Sequence, residues 1–144
     1  MIKAKTYLSH SVEETSAFGR KIAASLCGGE VLALYGDLGT GKTAFVQGLA
    51  AGLGIKQIVN SPTYTIMNIY PIKNKIIKCL CHIDTYRLGA ADGLTDIGAV
   101  DYIGAADTVT AIEWAEKAEG LLPDKTVQIY FRAQSENIRQ IIIK

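Results

Sequence analysis

Eight residues, Gly36-Asp37-Leu38-Gly39-Thr40-Gly41-Lys42-Thr43, limit what this chain can fold into more than any other stretch. They meet the pattern G-x-x-x-x-G-K-[ST] and stand between two different apolar patterns. Before them runs Val31-Leu32-Ala33-Leu34-Tyr35, a continuous apolar segment of the kind a strand shows when both its faces are covered. After them Phe45, Leu49 and Leu53 line one helix face, and Gly54 stops that helix. Glycines let such a loop curl until successive N–H groups converge on phosphate oxygens, and the helix adds the positive end of its dipole. Lys42 supplies a point charge for the outer phosphates, and the Thr43 hydroxyl is a ligand for Mg²⁺. The stretch therefore reads as a P-loop, with residues 36–43 as nucleotide-binding residues and ATP with Mg²⁺ as the expected cofactors.

Around that unit the 144 residues read as one domain. Residues 2–8 predict a first strand. Ser11-Val12-Glu13-Glu14 predicts a capping box, in which Ser11 accepts from a backbone N–H while Glu14 reaches back. Phe18, Ile22 and Leu26 extend the helix to about Leu26, and Gly28-Gly29 ends it. Ser61-Pro62 turns the chain into a turn or extended loop. Strands are predicted over residues 64–70, over 76–83 with Asp84 at the end, and over 109–112 with Glu113 at the end. Residues 89–102 read as mixed loop and short helix, and 126–132 with 138–143 as a closing hairpin. The expected architecture is α/β and P-loop NTPase-like, with a largely parallel central sheet, antiparallel additions and helices on both faces.

Composition narrows the function classes. Hydrophobic residues make up 49% and charged residues 20%, as in a globular protein. A net charge of +1 gives no basic excess for gripping a nucleic-acid backbone. The densest basic stretch, Lys73, Lys75 and Lys78, reads as a solvated loop and strand start. No apolar run is long enough to span a bilayer, and the residues after Met1-Ile2-Lys3-Ala4-Lys5 lack the apolar core of a signal peptide. The expectation is a cytoplasmic protein with no membrane partner. Cys27, Cys79 and Cys81 are an odd count, which fits free thiols in a reducing compartment. Cys79 and Cys81 read as buried core facing away from His82 and Asp84, and those two alone are too few for a zinc site.

A P-loop enzyme needs a carboxylate at the end of a neighbouring strand for the metal, and a group that orients or deprotonates water. Asp84 and Glu113 each close an apolar strand, where ligands bind in open α/β sheets. Either acid alone also fits a simple turn cap. Other nucleotide chemistries fit less well. A small-molecule or nucleotide kinase closes an arginine-bearing lid, whereas this chain has only Arg20, Arg87, Arg132 and Arg139. A GTPase carries N-K-x-D, and Asn74-Lys75-Ile76-Ile77 lacks the Asp. A non-catalytic module gated by nucleotide stays open.

Taken in order, these segments resemble the TsaE family (also called YjeE), the ATPase of bacterial tRNA N6-threonylcarbamoyladenosine synthesis. The resemblance is carried by the P-loop, Ser61-Pro62-Thr63-Tyr64-Thr65, His82-Ile83-Asp84-Thr85-Tyr86-Arg87-Leu88, Asp96-Ile97-Gly98, Asp101-Tyr102 and Ile112-Glu113-Trp114, with Ser11 to Thr15 upstream. It implies that Thr43 and Glu113 bind Mg²⁺, that Asp84 is a second essential acid near the γ-phosphate, and that Lys42, Asp84 and Glu113 are catalytic. It implies a switch-like loop at Ser61, Pro62 and Thr63, and places Val12, Thr15, Trp114 and Arg139 near the nucleotide. It also implies TsaB and TsaD as partners, with tRNA reached indirectly and ATP turnover slow without them. Two departures stand out: Gly93-Leu94-Thr95 replaces the family's Glu-Leu-Glu, and Trp114-Ala115-Glu116 its Trp-Pro-Glu.

Overall fold

The computed structural model describes residues 2–62, 66–88 and 92–144. Among these residues seven strands form one sheet: β1 (Lys5–Ser9), β2 (Val31–Tyr35), β3 (Met67–Pro71), β4 (Cys79–Asp84), β5 (Thr108–Glu113), β6 (Val127–Ala133) and β7 (Arg139–Ile143). Their spatial order is β1-β7-β6-β2-β5-β4-β3. The inner four, β6-β2-β5-β4, are parallel to one another. β3 joins β4 antiparallel at one edge, and β7 and β1 extend the other edge antiparallel. The parallel centre, antiparallel additions and closing hairpin match the expectation.

Alternation along β2 shows how the core is divided. Leu32 and Leu34 pack beneath the helices α1 (Val12–Ala23) and α2 (Lys42–Gly52), against Phe18, Ile22, Phe45 and Leu49. Val31 and Ala33 face the other way, where Cys81, Ile83 and Ile112 meet Leu94, Ala99, Ala115 and Ala118. Both faces are thus covered, though unequally. Among the described residues the second face carries α3 (Asp92–Asp96) and two 3₁₀ segments, Ala99–Asp101 and Ala115–Leu121.

Several boundaries shift for local reasons. β4 begins at Cys79, not residue 76, because Asn74 Oδ1 accepts from the Ile76 N–H at 2.8 Å and turns the chain there. β3 begins at Met67 after Ile66, whose φ of 65° breaks the extended run; Tyr64 and Thr65 of the expected strand lie outside the described residues. α1 stops at Ala23, and Gly28 and Gly29, with φ of 99° and 92°, reverse the chain beyond its end. Ser11 caps α1 as expected, accepting from the Glu14 N–H at 3.0 Å, but the Glu14 carboxylate reaches the His10 N–H at 2.7 Å. The box is therefore one residue wider than the motif implies. Cys81 is buried, Cys79 only partly so, and Cys27 is exposed; all are free thiols.

α1 and α2 touch backbone to backbone through glycine. A Cβ at Gly48 would lie 1.8 Å from Ser16 O, and one at Gly19 would lie 2.1 Å from Phe45 O. Only hydrogen fits there, so Gly48→Ala must part the helices that carry the residue 36–43 loop. It should cost about 1–3 kcal/mol, a drop of several degrees in the unfolding midpoint. Urea unfolding checks this beside Gly120→Ala, where no atom lies within 4 Å of the added Cβ and little change is expected.

Candidate functional site

Parallel strands bring their carboxyl ends to one rim. β5 sits between β2 and β4, so Glu113 is level with Leu34 on one side and with Asp84 on the other. The loop leaving β2 therefore passes directly in front of both acids.

The loop is shaped by its glycines. Gly36 has a φ of 151°, and a Cβ on it would lie 2.6 Å from Phe131 O and 2.8 Å from Thr40 Oγ1. Gly41, at φ 104°, is the residue before α2, and no side chain caps the helix there. The Thr40 hydroxyl donates to Asp37 O at 2.7 Å and closes the loop on itself. The first-turn N–H groups of α2 and its dipole thus face the loop, an arrangement that suits an anion.

Lys42 is only 5% exposed. Its ammonium donates to Gly36 O, and to Asp37 O at 3.0 Å, while lying 4.0 Å from the centre of the Trp114 ring. Burial pulls the Lys42 ammonium below its ordinary value, against the opposing charges of Glu113, Glu116, Asp84 and Asp37.

Glu113 is the hub. The Thr43 hydroxyl donates to its Oε1 at 2.8 Å, and the Ser61 hydroxyl to its Oε2 at 3.1 Å. The two hydroxyls are themselves 2.8 Å apart, and His82 Nε2 lies 2.7 Å from Oε2. Burial works to raise the Glu113 carboxyl, but His82 and the two hydroxyls outweigh it and hold the group below the ordinary glutamate range. Asp84 moves the opposite way. Burial raises it, helped by the charge of Glu113 and opposed by the Tyr86 N–H, which donates to its Oδ1 at 2.9 Å. A cavity of about 230 Å³ joins Gly41, Lys42, Thr43, Ser61, Asp84, Glu113 and Trp114. A larger one, about 600 Å³, lies along the same loop and is lined by Tyr35, Tyr130, Arg132 and Arg139, away from both acids.

Trp114 follows Glu113 in a left-handed conformation, φ 58° and ψ 45°, which a non-glycine residue adopts only when held. Thr85 holds it: buried, its hydroxyl donates to Glu113 O at 3.1 Å and to Trp114 O. The indole then lies over Lys42 and 4.9 Å from the Tyr86 ring.

The remaining expected residues gather on the other side of the loop. Val12, Thr15, Gly39, Gly41, Ala44 and Arg139 line a cavity of about 90 Å³. Arg139 straps the β6–β7 turn to the loop, donating to Ser135 O at 2.8 Å and to Gly39 O at 3.3 Å. Ser61 reaches Glu113, and Pro62 is buried and lines a cavity with Asp84; Thr63 lies outside the described residues. Two residues were not singled out for this site, His82 and Thr85. The spacing of His82 from Asp84 puts both on one strand face, but its partner Glu113 is a neighbour only through the β4–β5 pairing. Nothing local marks Thr85.

Thr43, Ser61, Asp84 and Glu113 form an all-oxygen donor set, suited to a hard cation such as Mg²⁺. No group of three or more His, Cys, Asp or Glu is placed to hold a metal among the described residues. No helix among them is long and apolar enough to cross a membrane.

The family model described as "Threonylcarbamoyl adenosine biosynthesis protein TsaE" matches residues 9–141. The tRNA threonylcarbamoyladenosine biosynthesis protein TsaE of Treponema pallidum is 37% identical over 136 residues, 94% of this chain and 97% of that protein. Its counterpart in Bacillus subtilis is 42% identical over 129 residues, 90% and 78% of the two chains. The crystal structure of YdiB from Bacillus subtilis superposes with a TM-score of 0.76 at 35% identity, covering 99% of this chain and 86% of that one. With the match running through the glycine loop and both strand-end acids, this chain belongs to the TsaE family of tRNA threonylcarbamoyladenosine biosynthesis.

Proposed function

We propose that this chain is a P-loop ATPase that binds Mg-ATP on residues 36–43 and hydrolyses it in support of tRNA threonylcarbamoyladenosine synthesis. One observation carries the reading. Thr43, at the start of α2, and Glu113, at the end of β5, meet at 2.8 Å beside the buried ammonium of Lys42. A hydroxyl, a carboxylate and a lysine at a helix N-terminus are what a metal-bound polyphosphate requires.

The roles follow from the contacts. The loop N–H groups and Lys42 bind the phosphates, and Lys42 exchanges its loop carbonyls for phosphate oxygens. Thr43 and Glu113, with Asp84 beside them, would hold Mg²⁺, which when bound neutralises charge on the outer phosphates. Asp84, raised above the ordinary aspartate range, is the better proton acceptor of the two acids and orients water at the phosphate end. Trp114 and Thr85 keep Glu113 in place. Val12, Thr15 and Arg139 flank the nucleotide on the far side of the loop.

We place the chain in the cytoplasm, working with TsaB and TsaD and reaching tRNA only through them. Leu38, at the loop apex, is 79% exposed, and Tyr86 beside Trp114 is 52% exposed. That apolar surface at the mouth of the site suits a protein cover. The isolated chain should turn over slowly, since a stabilising group supplied in trans is worth roughly 10³–10⁵ in rate in other P-loop enzymes.

Lys42→Ala should lose ATP binding in calorimetry with its fold intact, and Thr43→Ala and Glu113→Ala should raise the Mg²⁺ needed for hydrolysis. Unchanged hydrolysis in pure Lys42→Ala would refute the assignment. Asp84→Asn should remove turnover yet melt at a higher temperature at pH 7. The sign follows from its raised carboxyl: ionised Asp84 costs stability above its folded value, and the cost disappears below the ordinary aspartate value. Melting curves across that range should therefore converge at low pH. Adding TsaB and TsaD should raise the ATPase rate, and their capture on the chain should differ between ATP and ADP. Equal capture with no change in rate would count against the coupling.

A further inference from the structure

Neither loop chemistry nor strand packing accounts for His82. It is 0% exposed, lies within β4, and places Nε2 2.7 Å from Glu113 Oε2. Its Nδ1 is buried with no hydrogen-bond partner among the described residues. The contacts settle the tautomer. Glu113 accepts from two hydroxyls as well, so it is the acceptor and His82 Nε2 is the donor. Nδ1 makes no contact that would compete with this donation among the described residues.

A leucine of similar volume would fill the same space and leave no lone pair bare. What histidine adds is one N–H at a fixed height above the sheet, aimed at one carboxylate oxygen. Oε2 takes the donations of His82 and Ser61, which leaves Oε1 with Thr43. The carboxylate is thereby oriented by a group that sits on a strand and cannot swing away. Thr43 and Ser61 hold it too, but one opens the helix at the glycine loop and the other sits in the loop before β3.

We propose that His82 is a positioning residue for the cation site, holding Glu113 through Nε2–H so that Oε1 and the Thr43 hydroxyl face the glycine loop as a pair. The proposal rests on the Mg-nucleotide reading above. Partners behind a metal-binding side chain typically change metal affinity about 10–100-fold when removed.

The test uses His82→Leu, His82→Asn and His82→Gln in the full chain. A glutamine amide can reach the position of Nε2, whereas an asparagine amide is too short. Trp114, the one tryptophan and in contact with Lys42, reports ADP binding by its fluorescence. Mg²⁺ is titrated at fixed ADP, and ADP binding is measured separately in EDTA, with melting curves for each variant. The Leu and Asn variants should need about 10–100-fold more Mg²⁺, Gln should stay within about three-fold of wild type, and ADP binding in EDTA should not change. Wild-type Mg²⁺ dependence in an Asn variant that melts normally overturns the proposal. So does a Gln variant no better than Asn, or an equal loss of ADP binding in EDTA, which marks a purely structural role. Should Leu fail to fold, the Asn–Gln comparison decides alone. Wild-type ADP binding indifferent to Mg²⁺ would instead bring down the nucleotide reading, and this inference with it.

Discussion

One buried negative charge organises this molecule. Glu113 ends a strand inside the parallel sheet with 2% exposure, and among the described residues it is satisfied by donors from three other segments. Thr43 comes from the start of α2, Ser61 from the loop before β3, and His82 from β4. Each donor must arrive at the right height for the charge to be tolerated. The sheet order, the close contact of α1 with α2 and the reversal at Trp114 all serve that convergence. A carboxylate so surrounded also cross-links the fold, since its hydrogen bonds join regions far apart in sequence.

The same site keeps groups that a stability optimum would remove. Lys42 is charged where burial opposes charge, Asp84 is an acid pushed upward beside another acid, and Trp114 holds a backbone conformation that suits glycine. Natural folds accept such local losses at functional positions and offset them elsewhere. Here the offset lies in the apolar layers on either side of β2, where Leu32, Ala33 and Leu34 have no exposure at all.

Local chemistry was legible in the sequence; beyond the closing hairpin, the pairing of strands was not. The glycine loop is read directly because its function needs backbone freedom, and that need is written as glycine. Glu113 and Asp84 could be picked out because each ends an apolar strand. His82 was passed over as a site residue because its partner is two strand positions away on a different strand, and only the β4–β5 register brings them together. The Ala115–Leu121 segment was missed because three alanine and glycine residues give it no apolar period to detect. Cys79 was taken for core because it shares a strand face with Cys81, yet as the first residue of β4 it is only partly buried. The Glu14 bond to His10 shows the same limit on a smaller scale: a motif names the cap, and the side-chain rotamer chooses the donor.

The far edge of the sheet has a consequence for how the protein is made. Lys5 pairs with Ile143, so β1 has no strand beside it until β7 has been synthesised. During translation the first strand waits, with its hydrogen-bonding groups open, while the sheet's centre assembles. β7 also begins with Arg139, which ties Gly39 of the glycine loop. A nascent chain stalled before that arginine would carry every loop glycine and both acids, but with the loop untied and β1 unpaired. Synthesis of β7 is thereby built into assembly of the site, and a chain released before it presents an open strand edge of the kind that chaperones and proteases recognise.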